Sequence, residues 1–171
     1  MRKAASSAAA VVLASLAARL LVPSFSLYLE PYEVLKQWHL WQLVTWIISG
    51  ASLTFLAHAA LIGFAVSRGA PLKQPLAVTF IAGLCTTLLA LPIPAIYSCT
   101  FTGAGVAATA SLIAWASTLV GPRRLAATLA ALVPALLDAA VDGRYALVPF
   151  GFAFIAAGLW VRWSRRSHKK P

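Results

Sequence analysis

Six apolar runs, separated by short loops that carry nearly all of the charge, constrain this chain more than any other feature. They lie near residues 8–25, 43–66, 76–95, 101–120, 125–137 and 145–163. A helix needs about 20 mostly apolar residues to cross the hydrocarbon core of a bilayer. Six such helices use roughly 120 residues of the chain, which leaves enough for loops and tails but not for a second soluble domain. Hydrophobic residues make up 61% and charged residues 11% of the 171 residues, against about 45–50% and about 25% in soluble domains. This composition excludes a water-soluble enzyme, a disordered tail and a disulfide-stapled secreted module. The expected fold is an all-α membrane protein with six transmembrane helices: one domain over residues 1–163 and a basic tail over 164–171. The fifth run is the shortest and carries Pro134. A proline is tolerated in a span where a neighbouring helix satisfies the freed carbonyl.

The charges decide orientation. Lys and Arg number 14 and Asp and Glu 4, for a formal net charge of +10. Six spans put both termini and the loops after the second and fourth runs on one side. That side holds Arg2, Lys3, Arg68, Lys73, Arg123, Arg124 and the cations from Arg162 to Lys170, 11 of the 14. The other side holds Lys36 and Arg144 with all four acids, Glu30, Glu33, Asp138 and Asp142, while Arg19 lies within the first run. Lys/Arg bias marks the cytoplasmic side, so both termini are expected there. Nucleic-acid binding needs a basic face with polar or aromatic readers; these charges sit in loops and tails, and no nucleic-acid partner is expected.

The N-terminus resembles a signal sequence, but the apolar stretch resumes after Arg19 and lacks a clean small-residue cleavage site, so it is expected to remain as a span. Cys85 and Cys99 imply neither a disulfide nor a metal site. Residues 26–42 form the longest loop. Tyr28, Tyr32, Trp38 and Trp41 suit the headgroup zone, and Val34, Leu35 and Trp38 fall at helical spacing after Pro31. A short amphipathic helix in the outer interface is therefore expected, with an ordinary aromatic belt as the plainer alternative.

Phe25-Ser-Leu-Tyr28, Glu30-Pro-Tyr-Glu33, Lys36 and Trp38-His-Leu-Trp-Gln-Leu-Val-Thr-Trp46, followed by Phe55-Leu-Ala-His58, resemble the start of a derlin. Derlins are inactive members of the rhomboid superfamily. The likeness is concentrated in residues 23–66; elsewhere it extends only to span count, topology and loop lengths. Gln42 stands where the family has the Arg of a Trp-Arg pair, so a neutral amide replaces a charged fork. The resemblance implies a rhomboid-like fold, with a nucleophile motif Gly-x-Ser-Gly at the head of the fourth span and a His on the sixth in active members. Here the fourth run opens Thr102-Gly-Ala-Gly105, which puts Ala104 at the nucleophile position. Val148-Pro-Phe-Gly-Phe152 stands where the His is expected.

Ser98, Thr100, Thr102, Thr109 and Ser111 are hydroxyls near that place, but a nucleophilic hydroxyl needs a base within hydrogen-bond reach. The three histidines fall elsewhere: His39 in the outer loop, His58 in the second run and His168 in the tail. No catalytic residue, cofactor or metal is expected. Asp138 and Asp142 read as the cap of the fifth span, with Gly143 completing the turn. Arg19 reads as a snorkelling cation or a partner for Asp138. An ionisable residue within a span is a functional candidate. For His58 two readings stay open: a satisfied core histidine bonding hydroxyls such as Thr54, or a polar group facing substrate. Gly103, Gly105, Ala107 and Ala108 suit close helix approach, as do Ala153, Ala157 and Gly158.

The resemblance implies non-catalytic handling of membrane proteins: binding a membrane segment, thinning the local bilayer and helping extract or retrotranslocate it for degradation. The expected substrate-binding residues are Trp38, Trp41, Gln42, His58, Thr102, Gly103, Ala104 and Gly105. The expected partners are membrane protein substrates, lipids and a AAA+ protease or ATPase, with a homo-oligomer open. Alternatives are an assembly or chaperone subunit of another membrane enzyme and, less favoured, a small transporter or an intramembrane serine protease. The alanine-rich spans suit a bacterial inner membrane, with an organellar membrane as the alternative.

Overall fold

A computed structural model describes residues 28–46, 49, 52–70 and 73–167, together with Ala17. The first apolar run, Arg19 and His168 lie outside the described residues. The described chain is mostly helical and contains no β-strand. Among the described residues from 28 onward, nine α-helices follow in order: α1 (Pro31–Lys36), α2 (Gln42–Thr45), α3 (Ser52–Ser67), α4 (Lys73–Ala90), α5 (Pro94–Tyr97), α6 (Ala104–Ala116), α7 (Gly121–Ala130), α8 (Val133–Asp142) and α9 (Leu147–Ser167). A 3₁₀ turn, Arg144–Ala146, links the last two.

Among the described residues, two helical segments, Gly121–Asp142 of 22 residues and Arg144–Arg162 of 19, are long and apolar enough to cross a membrane. The other apolar helices are shorter, and their ends have local causes. The third run ends at Ala90 because Pro92 and Pro94 cannot continue its hydrogen bonding; Pro94 instead opens α5. The fourth run is helical only over the 13 residues of α6, which Gly103 caps. The fifth run is two helices separated by a turn at Ala131 and Leu132, with Pro134 in the first turn of α8. Thr109 Oγ1 donates to the Ala131 carbonyl across this break at 2.9 Å. A neighbouring helix thus satisfies the interrupted backbone, as an apolar surrounding requires.

Helix α6 is the centre of the bundle. All but two of its residues are buried, and it packs against α3, α4, α7, α8 and α9. A helix apolar on every side belongs inside a fold. Its Gly-Val-Ala-Ala-Thr-Ala-Ser composition lets surrounding backbones approach closely. The core runs from Leu29, Trp46 and Val78 through Val106 and Ala110 to Phe150, Ala153 and Ala157. Buried hydroxyls in α4 bond back to their own helix: Thr79 to Pro75, Thr86 to Ala82 and Thr87 to Gly83.

Candidate functional site

The site is built from the loop before α2 upward. The proline that opens α1 fixes the turn after Glu30, and Val34 is buried beneath it; the helix ends at Lys36, so Trp38 lies beyond it and does not share the buried face that the spacing predicts. Gln42 is also buried and ties the loop together. Its Nε2 donates to Glu33 Oε2, and its Oε1 accepts the Glu30 N–H at 3.0 Å. Glu33 Oε2 also lies 3.2 Å from His39 Nδ1, and the His39 ring stacks on Trp41 at 4.3 Å. Burial pushes the Glu30 carboxyl above the usual carboxylate range, the Glu33 charge adds to this, and a hydrogen bond with Thr100 opposes it. Trp38 and Trp41 are 74% and 50% exposed, so neither ring is part of the internal packing. Trp38 also holds a left-handed backbone at φ +60°.

The loop grips the segment leading into α6. Leu29 and Phe101 exchange both backbone hydrogen bonds, at 3.1 and 2.9 Å. Ser49 Oγ donates to the Trp46 carbonyl at 2.6 Å and accepts the Gly103 N–H at 2.9 Å, while the Ser49 carbonyl accepts the Ala104 N–H at 3.0 Å. Two of the N–H groups left open at the start of a helix are therefore occupied. Gly103 is required here, because a Cβ would strike the Trp46 carbonyl oxygen.

Within the first turn of α6, a polar cluster is enclosed by the bundle. Gly105 leaves room for the Asp138 carboxylate of α8, the His58 ring of α3 and Phe150 of α9; a Cβ at this position would touch all three. His58 Nε2 lies 3.4 Å from Asp138 Oδ1, and both side chains are almost wholly buried. The pair is close but not aligned as a hydrogen bond, and neither imidazole nitrogen makes one among the described residues. Thr102 Oγ1 donates to the other carboxylate oxygen at 3.4 Å. Thr102 also lines a cavity of about 120 Å³ shared with Cys99, Thr100, Asp142, Tyr145 and Pro149. A cavity of that volume is large enough to hold water beside Thr102.

No family model, curated protein or solved structure matches this chain. The chemistry of the site therefore rests on its geometry. Nucleophilic catalysis places the base between the nucleophile and the group that orients it. Here the acid is in the middle: Asp138 receives Thr102 on one oxygen and faces His58 with the other. Other hydroxyls on α6 are committed, Thr109 to the Ala131 carbonyl and Ser111 to the Ala107 carbonyl. Among the described residues, no three His, Cys, Asp or Glu side chains form a group able to hold a metal ion.

Of the residues singled out in the sequence, His58, Thr102, Gly103, Ala104 and Gly105 come together around the head of α6. Trp38, Trp41 and Gln42 form a second group in the loop, joined to the first through Trp46, Ser49 and the Leu29–Phe101 pair. Asp138 is where the sequence reading needs correction. It does not cap the fifth run; it lies inside α8, faces His58, and leaves Asp142 and Gly143 (φ +84°) to end the helix. The signal for this was present in the spacing. Asp138 is one turn before Asp142 but on an apolar stretch, Val133-Pro-Ala-Leu-Leu-Asp-Ala-Ala, whose buried face it shares with Pro134 and Ala135.

Proposed function

We propose that this chain is a catalytically inactive, derlin-like membrane protein of rhomboid-like fold that binds membrane segments of other proteins and eases their extraction for degradation. The observation that carries this is the cavity ending at Thr102, with the His58–Asp138 pair behind it at the head of a 13-residue central helix. A charged or polar group in the hydrocarbon region is costly. A cavity able to hold water, beside short helices, lowers that cost for polar chain that has to leave the bilayer. The exposed rings of Trp38 and Trp41 add a contact surface at the headgroup level. The small residues of α6, the absence of a hydroxyl at Ala104 and the acid-centred order of Thr102, Asp138 and His58 agree with a binding role rather than peptide hydrolysis. In this reading both termini face the cytoplasm of a bacterial cell, and a AAA+ protease or ATPase receives the substrate.

Photocrosslinking tests the proposal. A benzophenone maleimide is attached to Cys99, at the cavity, in a chain carrying Cys85→Ala, and model transmembrane substrates are added in vesicles. Crosslinks to intact substrates with a polar residue in the span are expected, exceeding those from a probe at the exposed Ile155 of α9. Equal yields at the two positions would remove the cavity as the substrate site. Purification in mild detergent separates the roles: an ATP-dependent protease fits quality control, and one dedicated membrane enzyme fits assembly.

A further inference from the structure

A groove remains on the other side of the central helix, away from the His58–Asp138 cluster. It holds about 730 Å³ and is formed where α3, α6 and α7 meet, lined by Phe64, Arg68, Trp115, Arg123, Ala126 and Ala130 among others. Its wall is aromatic: Phe64 and Trp115 meet edge to face at 5.0 Å. Alanines of α7 provide a smooth opposite side. The mouth is cationic. Arg68 sits with its guanidinium 5.3 Å from the Phe64 ring centre, and Arg123 comes from the first turn of α7. Both arginines are exposed, and no acid lines the groove.

An apolar slot with two arginines at one end complements a molecule with a long apolar body and an anionic head. A neutral apolar helix would leave the arginines without a counter-charge, and a soluble anion would leave the aromatic wall uncovered. Guanidinium groups bind phosphate oxygens through paired donors, and basic pockets between membrane helices are suited to anionic headgroups. We propose that this groove binds one anionic phospholipid, its phosphate between Arg68 and Arg123 and an acyl chain along Phe64, Trp115 and Ala130. The site rests on the chain being a membrane protein and is independent of its role toward substrates.

The test uses the full chain in detergent with palmitoyl-oleoyl phosphatidylglycerol, followed by native mass spectrometry. One lipid retained per chain is expected, with phosphatidylcholine retained far less. Arg68→Gln with Arg123→Gln should weaken phosphatidylglycerol retention roughly 30-fold, equivalent to about 1 kcal/mol for each cation. Ala126→Phe, which fills the groove and keeps both arginines, should abolish retention, while Arg144→Gln, at the other end of the fold, should leave it unchanged. Four results would each overturn the proposal: equal retention of phosphatidylcholine, undiminished retention in both groove variants, equal loss in Arg144→Gln, or displacement by glycerol phosphate at the lipid's own concentration. A crosslinker at Ala130 that captures residues 8–25 in the presence of phosphatidylglycerol would also overturn it, because the chain would then fill its own groove. Carbonate extraction of each variant from membranes is run alongside. Release of the wild-type chain would contradict the membrane reading itself, a failure separate from loss of the lipid alone.

Discussion

Replacing Gly103 with alanine adds one methyl group at the point where the loop around α1 and α2 is fastened to the central helix. The added carbon would overlap the Trp46 carbonyl oxygen and stand 2.7 Å from the carbonyl carbon and 2.9 Å from the indole. None of these atoms is free to yield. The Trp46 carbonyl accepts Ser49 Oγ, and its ring is wedged against Gly83, where a Cβ would stand only 2.8 Å away. Overpacking a fixed core costs about 1–3 kcal/mol, and a backbone obstacle puts Gly103→Ala at the upper end. At about 2–4 °C per kcal/mol for a chain of this size, the thermal midpoint in detergent should fall by roughly 6–12 °C. Gly105→Ala should cost less, since its obstacles are side chains: Asp138, Phe150 at 2.9 Å and His58 at 3.0 Å. Gly158→Ala is the control. Contrary to the close helix approach expected at Gly158, nothing lies within 4 Å of its added carbon, so helix propensity should make it more stable by up to about 1 kcal/mol. Unfolding of Gly103→Ala together with the wild type, or above Gly158→Ala, would mean that the Trp46 carbonyl gives way to the added carbon.

Three further outcomes are expected from the loop. Gln42→Ala removes partners from Glu33 and the Glu30 N–H and should destabilise by about 1–3 kcal/mol; Gln42→Arg keeps a donor for Glu33 but offers no acceptor, and should fall between, measured by protease cleavage within residues 28–46. Because the folded state raises the Glu30 value above its unfolded 4.5, ionised Glu30 opposes folding at pH 7, and the effect fades as pH falls toward 4.5. Glu30→Gln should therefore be more stable than the wild type at pH 7 and converge with it near pH 4.5; a difference that grows on acidification contradicts this. Trp38→Gly should raise the unfolding midpoint by relieving a left-handed backbone at a cost of about 1 kcal/mol, and Trp38→Ala should not; an equal gain in both would place the effect in the ring.

Local signals in the sequence were the ones most readily converted into structure. Pro31 starts α1 and buries Val34, Gly143 ends α8, and Pro134 marks the break in the fifth run, because each acts on its own backbone within a turn. The small residues of the fourth run identify a helix that others approach, and α6 is the central helix. Extent was less legible. Hydropathy does not register that Gly103 caps α6 late or that Pro92 and Pro94 close α4 early, so apolar runs of similar length become helices of 13 and 18 residues. Pairings across elements were not legible at all. His58 and Asp138 are 80 positions apart, and nothing local to either selects the other. Likewise, Gln42 read alone is a lost charge, whereas in the fold its amide serves Glu33 and Glu30 at once, a combination of donor and acceptor that arginine lacks.

Binding without cleavage is the central claim, and substrate mass measures it most directly. The purified chain in vesicles is crosslinked from Cys99 to a model transmembrane substrate, and the products are weighed with and without a serine-directed fluorophosphonate. The expected product is the sum of two intact chains, unchanged by the probe. Substrate fragments that vanish on replacing a single serine would contradict the claim.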